Sequence, residues 1–245
     1  MMDYLYDGTF DGYLTTIFYA YAKKEEIRLF REARYAPSFL STCKVIISEP
    51  DKSDRVYQSI LTKLSYHTLD NLYNLYLSEE DDAETLGLHY LKLCYRYSDS
   101  INLAKNNDII RQVDAISKRV WLEVHRFYGF VRFKEIHPMV FYAPIEPDHN
   151  ILPLMMGHFK RRFSDQSFII HDLKRKSAII YDTKEILLCY LTEEESAQLT
   201  KANISDTFES LFKTYYQSIN IPERYNPRQQ NSYMPKRYYK HLVEL

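Results

Sequence analysis

From Val56 to Phe127 the apolar residues recur every three or four positions, and beyond Gly129 they gather into short runs separated by turns. The first spacing belongs to helices that bury one face, the second to strands. A chain that changes period in this way must join a helical layer to a sheet. Before the switch, Tyr4–Phe10 reads as a short strand running into a turn, and Asp11 as the cap of a helix carrying Leu14, Ile17, Phe18 and Tyr21. Val45–Ile47 reads as a second strand. Asp51 or Ser53 is placed to cap a helix with Val56, Ile60, Leu61 and Leu64 on one face, and two further helices follow around Leu69–Leu77 and Leu86–Tyr97. The longest helix is predicted over Asn106–Tyr128, ended by Gly129.

After it, Phe130–Lys134 and Met139–Ala143 read as strands about a His137-Pro138 turn. A helix over Leu152–Phe163 precedes a hairpin of Phe168–Asp172 and Ala178–Asp182, with a further strand over Glu185–Leu191. Phe208, Leu211, Phe212, Tyr215 and Tyr216 form one more helical face, and a Pro-punctuated loop leads to a terminal helix near Arg237–Leu245. The expected class is α+β, with an N-terminal helical layer and a small antiparallel sheet packed with helices. The expected organisation is one domain over residues 1–245, with residue 106 as the alternative subdomain joint.

Composition narrows the chemistry. Five glycines in 245 residues, against a typical ~7%, include neither GxGxxG nor GxxxxGK[ST], so the chain lacks the phosphate cradles of Rossmann and P-loop sites. Cys43, Cys94 and Cys189 are too scattered for a disulfide framework or a zinc ribbon and read as buried small hydrophobes. No apolar run reaches the roughly 18 residues that cross a bilayer, and the N-terminus lacks the pattern of a secretory signal. A cytoplasmic location without membrane contact is expected. The formal net charge is −1. Residues 111–176 nevertheless carry 12 Lys/Arg against 7 Asp/Glu and hold five of the eight histidines. That asymmetry suits a polyanion, or equally a basic part that pairs with acidic neighbours in the fold.

Two segments concentrate the candidates. In Arg119–Phe133, Arg119 and Glu123 stand four apart and can pair, while His125, Arg126, Arg132 and Lys134 can surround one concavity. In Gly157–Phe163, His158 and Arg162 share a helical face beside Arg161, and the nearby hairpin adds His171, Asp172, Lys174 and Arg175. Guanidinium forks suit phosphate, and a histidine among arginines and an aspartate suits acid/base work on a phosphodiester or a base. Phosphate binding alone, or structural ion pairing, accounts for the same residues. The candidate catalytic groups are therefore His125, His158 and Asp172. The candidate nucleic-acid contacts are Arg126, Arg132, Arg161, Arg162, Arg175, Arg224 and Arg237. The last two lie in a tail that interleaves Arg and Lys with Tyr, either to stack on single strands or to fold back on the core. None of His125, His137, His149, His158 and His171 has the HExxH, HxH or HxxE spacing that commits a histidine to a metal, and no GxSxG supplies a serine nucleophile.

Tyr4–Gly12, Glu123–Phe133, Tyr142–Pro147, His158-Phe159 with Arg162-Phe163, Pro222–Asn226 and Met234–Tyr238 together resemble a bacterial family labelled "probable DNA metabolism protein". The resemblance implies work on DNA beside a radical-SAM protein of DNA modification or repair, and kinship with domains fused to uracil-DNA-glycosylase-like domains. It supplies no reaction and no catalytic residue. The chain has no CxxxCxxC, so a radical-SAM cluster would belong to the partner, and no cofactor is expected here. Tyr239 stands where the family usually has Trp. Three expectations follow: a DNA-binding accessory protein, an enzyme acting on DNA, or a subunit that binds its partner protein through a basic face.

Overall fold

The computed structural model describes residues 2–37, 41–201, 214 and 226–242. The chain divides into two compact units, Met1–Val120 and Trp121–Leu245. Helices and sheets combine as the change of period predicts.

The first unit is built on three parallel strands in the order β2-β1-β3, with β1 (Met2–Tyr6) between β2 (Ile27–Arg31) and β3 (Thr42–Val45). Parallel neighbours need a crossover, and α1 (Phe10–Tyr21) provides the one from β1 to β2. The cap of α1 is Thr9, whose hydroxyl accepts from the Gly12 amide at 3.0 Å, not Asp11. Asp7 explains the displacement: its carboxylate accepts from the Thr9 amide and hydroxyl, and Gly8 turns the chain at φ 86°. The helix α2 (Pro50–Lys63) starts at Glu49 with proline at its first position and no side-chain cap, so neither Asp51 nor Ser53 has that role. Next come α3 (Tyr66–Ser78), α4 (Ala83–Tyr97) and α5 (Asp108–Phe130), with the unit boundary falling inside α5. Leu75, Ala83, Tyr90, Cys94, Ile110, Val113 and Ile116 form one buried cluster.

Several tyrosines serve this core, their buried phenols satisfied by acceptors from other elements. Tyr13 donates to the Glu84 carbonyl at 2.9 Å, Tyr6 to the Glu84 carboxylate at 3.2 Å, and Tyr90 to Asn102 at 2.7 Å. Among the cysteines only Cys94 is buried; Cys189 is half-buried, and Cys43 is exposed because it lies on the edge strand β3.

The second unit holds five strands in sequential order: β4 (Lys134–His137), β5 (Val140–Ile145), β6 (Ser167–Asp172), β7 (Ser177–Tyr181) and β8 (Ile186–Tyr190). All pairs are antiparallel except β5 with β6, which run parallel because α6 (Leu152–Arg162) crosses between them. The expected antiparallel hairpin is β6–β7. Phe130–Lys134 is not a strand: α5 continues to Phe130 and β4 begins only at Lys134. Gly129 consequently sits within the helix and does not cap it. The alternation of Phe130, Val131 and Phe133 is instead used in a helix end and a connector, with Phe133 packed at 5.1–5.8 Å from Phe159, Phe163 and Phe168. Beyond β8 lie α7 (Glu193–Lys201), α8 (Pro227–Tyr233) and a 3₁₀ turn over Lys236–His241. The helical face predicted over Phe208–Tyr216 lies outside the described residues. Among the described residues, no helix is long and apolar enough to cross a membrane.

Candidate functional site

Leu152, Met155 and Phe159 recur along α6 at helical spacing and are buried. That burial leaves Arg161 and Arg162 exposed at the end of the helix. Cations are favourable there because the last carbonyls of a helix carry partial negative charge. Among the described residues, no carboxylate pairs with either guanidinium. Beside them the His158 ring lies flat on Tyr128, centroids 3.9 Å apart and planes 12° apart. Burial first, then the Arg162 and Arg161 charges, push the His158 pKa below the usual histidine value. Its Nε2 is covered and has no hydrogen-bond partner. His158 is thus a neutral stacking surface whose Nε2 is closed to a substrate. The exposed Arg161 and Arg162 and the half-buried His158 and Tyr128 rings form one basic and aromatic patch.

The other candidates go elsewhere. His125 is exposed on α5. Arg126 donates to the Ser232 carbonyl at 3.0 Å, and Arg132 to the carbonyl of Gly129. Arg119 does not pair with Glu123; it makes a two-pronged bond with Glu80 at 2.6 and 2.9 Å.

Glu123 instead turns into the second unit, 3% exposed, where it organises the loop after β5. Its two oxygens accept from the amides of Asp148 and His149, both at 2.8 Å, and one also accepts from the Tyr238 hydroxyl. The carbonyls of the same loop are held by Arg175, which donates to Pro147 at 3.1 Å and Asp148 at 2.6 Å. Arg175 in turn pairs with Asp172 at 2.8 Å, and Asp172 also accepts from the amides of Lys174 and Arg175. Burial raises the Asp172 pKa, the Arg175 charge pulling the other way. Asp172 is fully buried, so its carboxylate has no route to a substrate in this arrangement. Arg237 pairs with Asp148 at 2.8 Å, while Lys240 and His241 face Glu146. With Tyr238 packed 5.0 Å from Phe127, the described part of the tail folds back on its own unit. Asp172, Arg175 and Arg237 are therefore brought together, but around a backbone loop. Arg224 lies outside the described residues.

Sequence reasoning did not single out two partners of His171. Its Nδ1 is 2.9 Å from the Tyr142 hydroxyl and its Nε2 3.1 Å from Ser196. The ring is fully buried, and burial lowers its pKa, so both nitrogens are used within a closed, neutral network. Tyr142 and Ser196 become neighbours only through strand pairing and the return of α7, which no local pattern announces. The stacking partner Tyr128 was equally hidden among 23 tyrosines. Among the described residues, no group of three or more His, Cys, Asp or Glu side chains is arranged to hold a metal.

Compared with known families, residues 81–244 match the one described as "Domain of unknown function (DUF4130)". None of the curated proteins matches the chain.

Proposed function

The chain belongs to the DUF4130 family, and we propose that it is a DNA-binding accessory protein that presents DNA to a radical-SAM modification or repair enzyme. The observation that carries this reading is the pair of exposed guanidiniums, Arg161 and Arg162, which have no carboxylate partner among the described residues, beside the stacked Tyr128 and His158 rings. Two adjacent cations whose charge is not neutralised attract phosphates, and aromatic faces beside them suit unstacked bases. Binding is favoured over acid/base catalysis because two of the three candidate acid/base groups are closed: His158 at Nε2 and Asp172 entirely. The sequence resemblance supplies the DNA context and the radical-SAM partner.

The test is a fluorescence-anisotropy titration of short single- and double-stranded DNA between low and physiological salt. Binding should weaken steeply with salt, and the double variant R161A/R162A should reduce the log–log slope by about 2, one for each lost phosphate contact. Absence of association at low salt overturns the reading, as does a double variant with unchanged affinity and slope. Co-purification of the radical-SAM protein that survives nuclease, from a protein that binds no DNA, would establish the protein-interaction subunit instead.

A further inference from the structure

Within the first unit, α1, α2 and α4 leave a cleft of about 560 Å³ between them. That volume lies inside the range of roughly 300–1,000 Å³ that small-molecule sites occupy. Its walls combine aliphatic side chains such as Ile17 and Leu91 with aromatic ones, Phe18 and Tyr21 from α1 and Tyr95 from α4. Tyr21 and Tyr95 meet edge to face at 5.5 Å and 81°. The Tyr95 ring is further fixed by its hydroxyl, which donates to Ser59 of α2 at 2.8 Å. The cations come from α2, where Arg55, Ser59 and Lys63 follow at four-residue spacing and so share one face. Arg55 lies over the Phe18 ring at 5.6 Å. Neither Arg55 nor Lys63 has a carboxylate partner among the described residues, although both are exposed.

A cleft with stacking walls, a hydroxyl between them and two uncompensated cations on one rim combines two recognition chemistries. The rings offer faces to a flat heterocycle, and the cations offer charge to an anion attached to it. A purely apolar ligand would leave the cations unused, and a bare anion would leave the aromatic walls unused. We infer that this cleft is a binding site for a nucleoside monophosphate, with the base between the aromatic side chains and the phosphate at Arg55 and Lys63. This site belongs to the first unit and stands or falls separately from the DNA reading, which rests on α6 of the second.

The experiment is isothermal titration calorimetry of the full chain with AMP, adenosine and inorganic phosphate, each on the wild type and on the double variant R55E/K63E. Both positions are exposed and make no ion pair among the described residues, so the variant should fold as the wild type does, which its urea midpoint checks. AMP should saturate one site on the wild type, adenosine and phosphate should each bind at least tenfold more weakly, and R55E/K63E should lose at least tenfold in AMP affinity. Substituting Tyr95→Phe, which keeps the ring and removes the bond to Ser59, should leave AMP binding within a few-fold. The inference is overturned if AMP does not bind at millimolar concentration, if phosphate binds as tightly as AMP, or if R55E/K63E binds AMP as the wild type does.

Discussion

Tyr238 donates its hydroxyl to Glu123, a buried residue 115 positions earlier in the chain. The same carboxylate holds the Asp148 and His149 amides, so one side chain joins the C-terminal turn to the loop after β5. Burial, with the adjoining carboxylate, pushes the Tyr238 phenol well above its ordinary pKa. Replacing Glu123 by alanine strands two amides and a phenol, and hydrogen bonds to charged groups contribute about 1.5–3 kcal/mol each. Glu123→Ala should therefore cost at least about 3 kcal/mol, and Tyr238→Phe about 1–2 kcal/mol. Urea unfolding followed by the single tryptophan, Trp121 on the same helix, measures both. A loss below 1 kcal/mol for Glu123→Ala would show that the loop holds without it.

Two glycines should respond in opposite directions to alanine. At Gly87 a Cβ would lie 2.0 Å from the Tyr13 hydroxyl and 2.9 Å from Leu72, breaking the bond from Tyr13 to Glu84. Overpacking of that kind costs about 1–3 kcal/mol. At Gly129 a Cβ meets nothing within 4 Å, and the residue lies within α5. Gly129→Ala should stabilise by about 0.5–1 kcal/mol through helix propensity. If Gly129→Ala instead destabilises, α5 ends at Gly129 in solution.

Arg31 joins β2 to the acidic ends of α3 and α4. It pairs with Glu84 at 2.9 Å and Glu79 at 3.2 Å, and donates to the Tyr6 hydroxyl oxygen and to the Tyr76 carbonyl. Its own side chain and both carboxylates are 10% exposed or less. Arg31→Met strands buried charge and should cost about 3 kcal/mol or more. Arg34, half exposed and paired with Glu79, is the contrast: Arg34→Ala should cost less than about 1 kcal/mol. Equal losses for the two would mean that burial does not govern these pairs.

Acid should weaken the fold through three of its histidines. His158, His171 and His241 all have pKa values lowered from 6.5, burial being the largest cause in each. A lowered folded-state value means that the unfolded chain takes up protons first as pH falls. The stability these rings contribute is present above pH 6.5 and is lost on descending through their folded pKa values. Asp172 works in the opposite sense, since its raised value lets the folded chain take its proton first. The urea midpoint should fall between pH 7.5 and 5.5, and His171→Asn should flatten that slope. A midpoint that stays level over this range would place all three rings in contact with water.

The switch from helical to strand spacing was legible because burial of one face imposes a period on any helix or strand. α3, α4, α6 and the β6–β7 hairpin follow within a few residues of the predicted bounds. β2 was missed because Arg28 and Arg31 disguise the alternation of buried Ile27 and Leu29; the acids that neutralise them, Asp3, Glu79 and Glu84, come from other elements. Of the candidate site, the sequence identified the residue types and nominated the charges. Which charges remain open was a tertiary decision. Arg175 and Arg237 look like Arg161 and Arg162 in the sequence, yet the turn after β6 holds Asp172 beside Arg175, the folded tail meets Asp148 at Arg237, and among the described residues no carboxylate pairs with Arg161 or Arg162. Local pattern determines where a side chain can bury, because that depends on its near neighbours. Whether a charge such as Arg31 or Arg237 is compensated depends on partners tens of residues away, and only the folded chain brings them into contact.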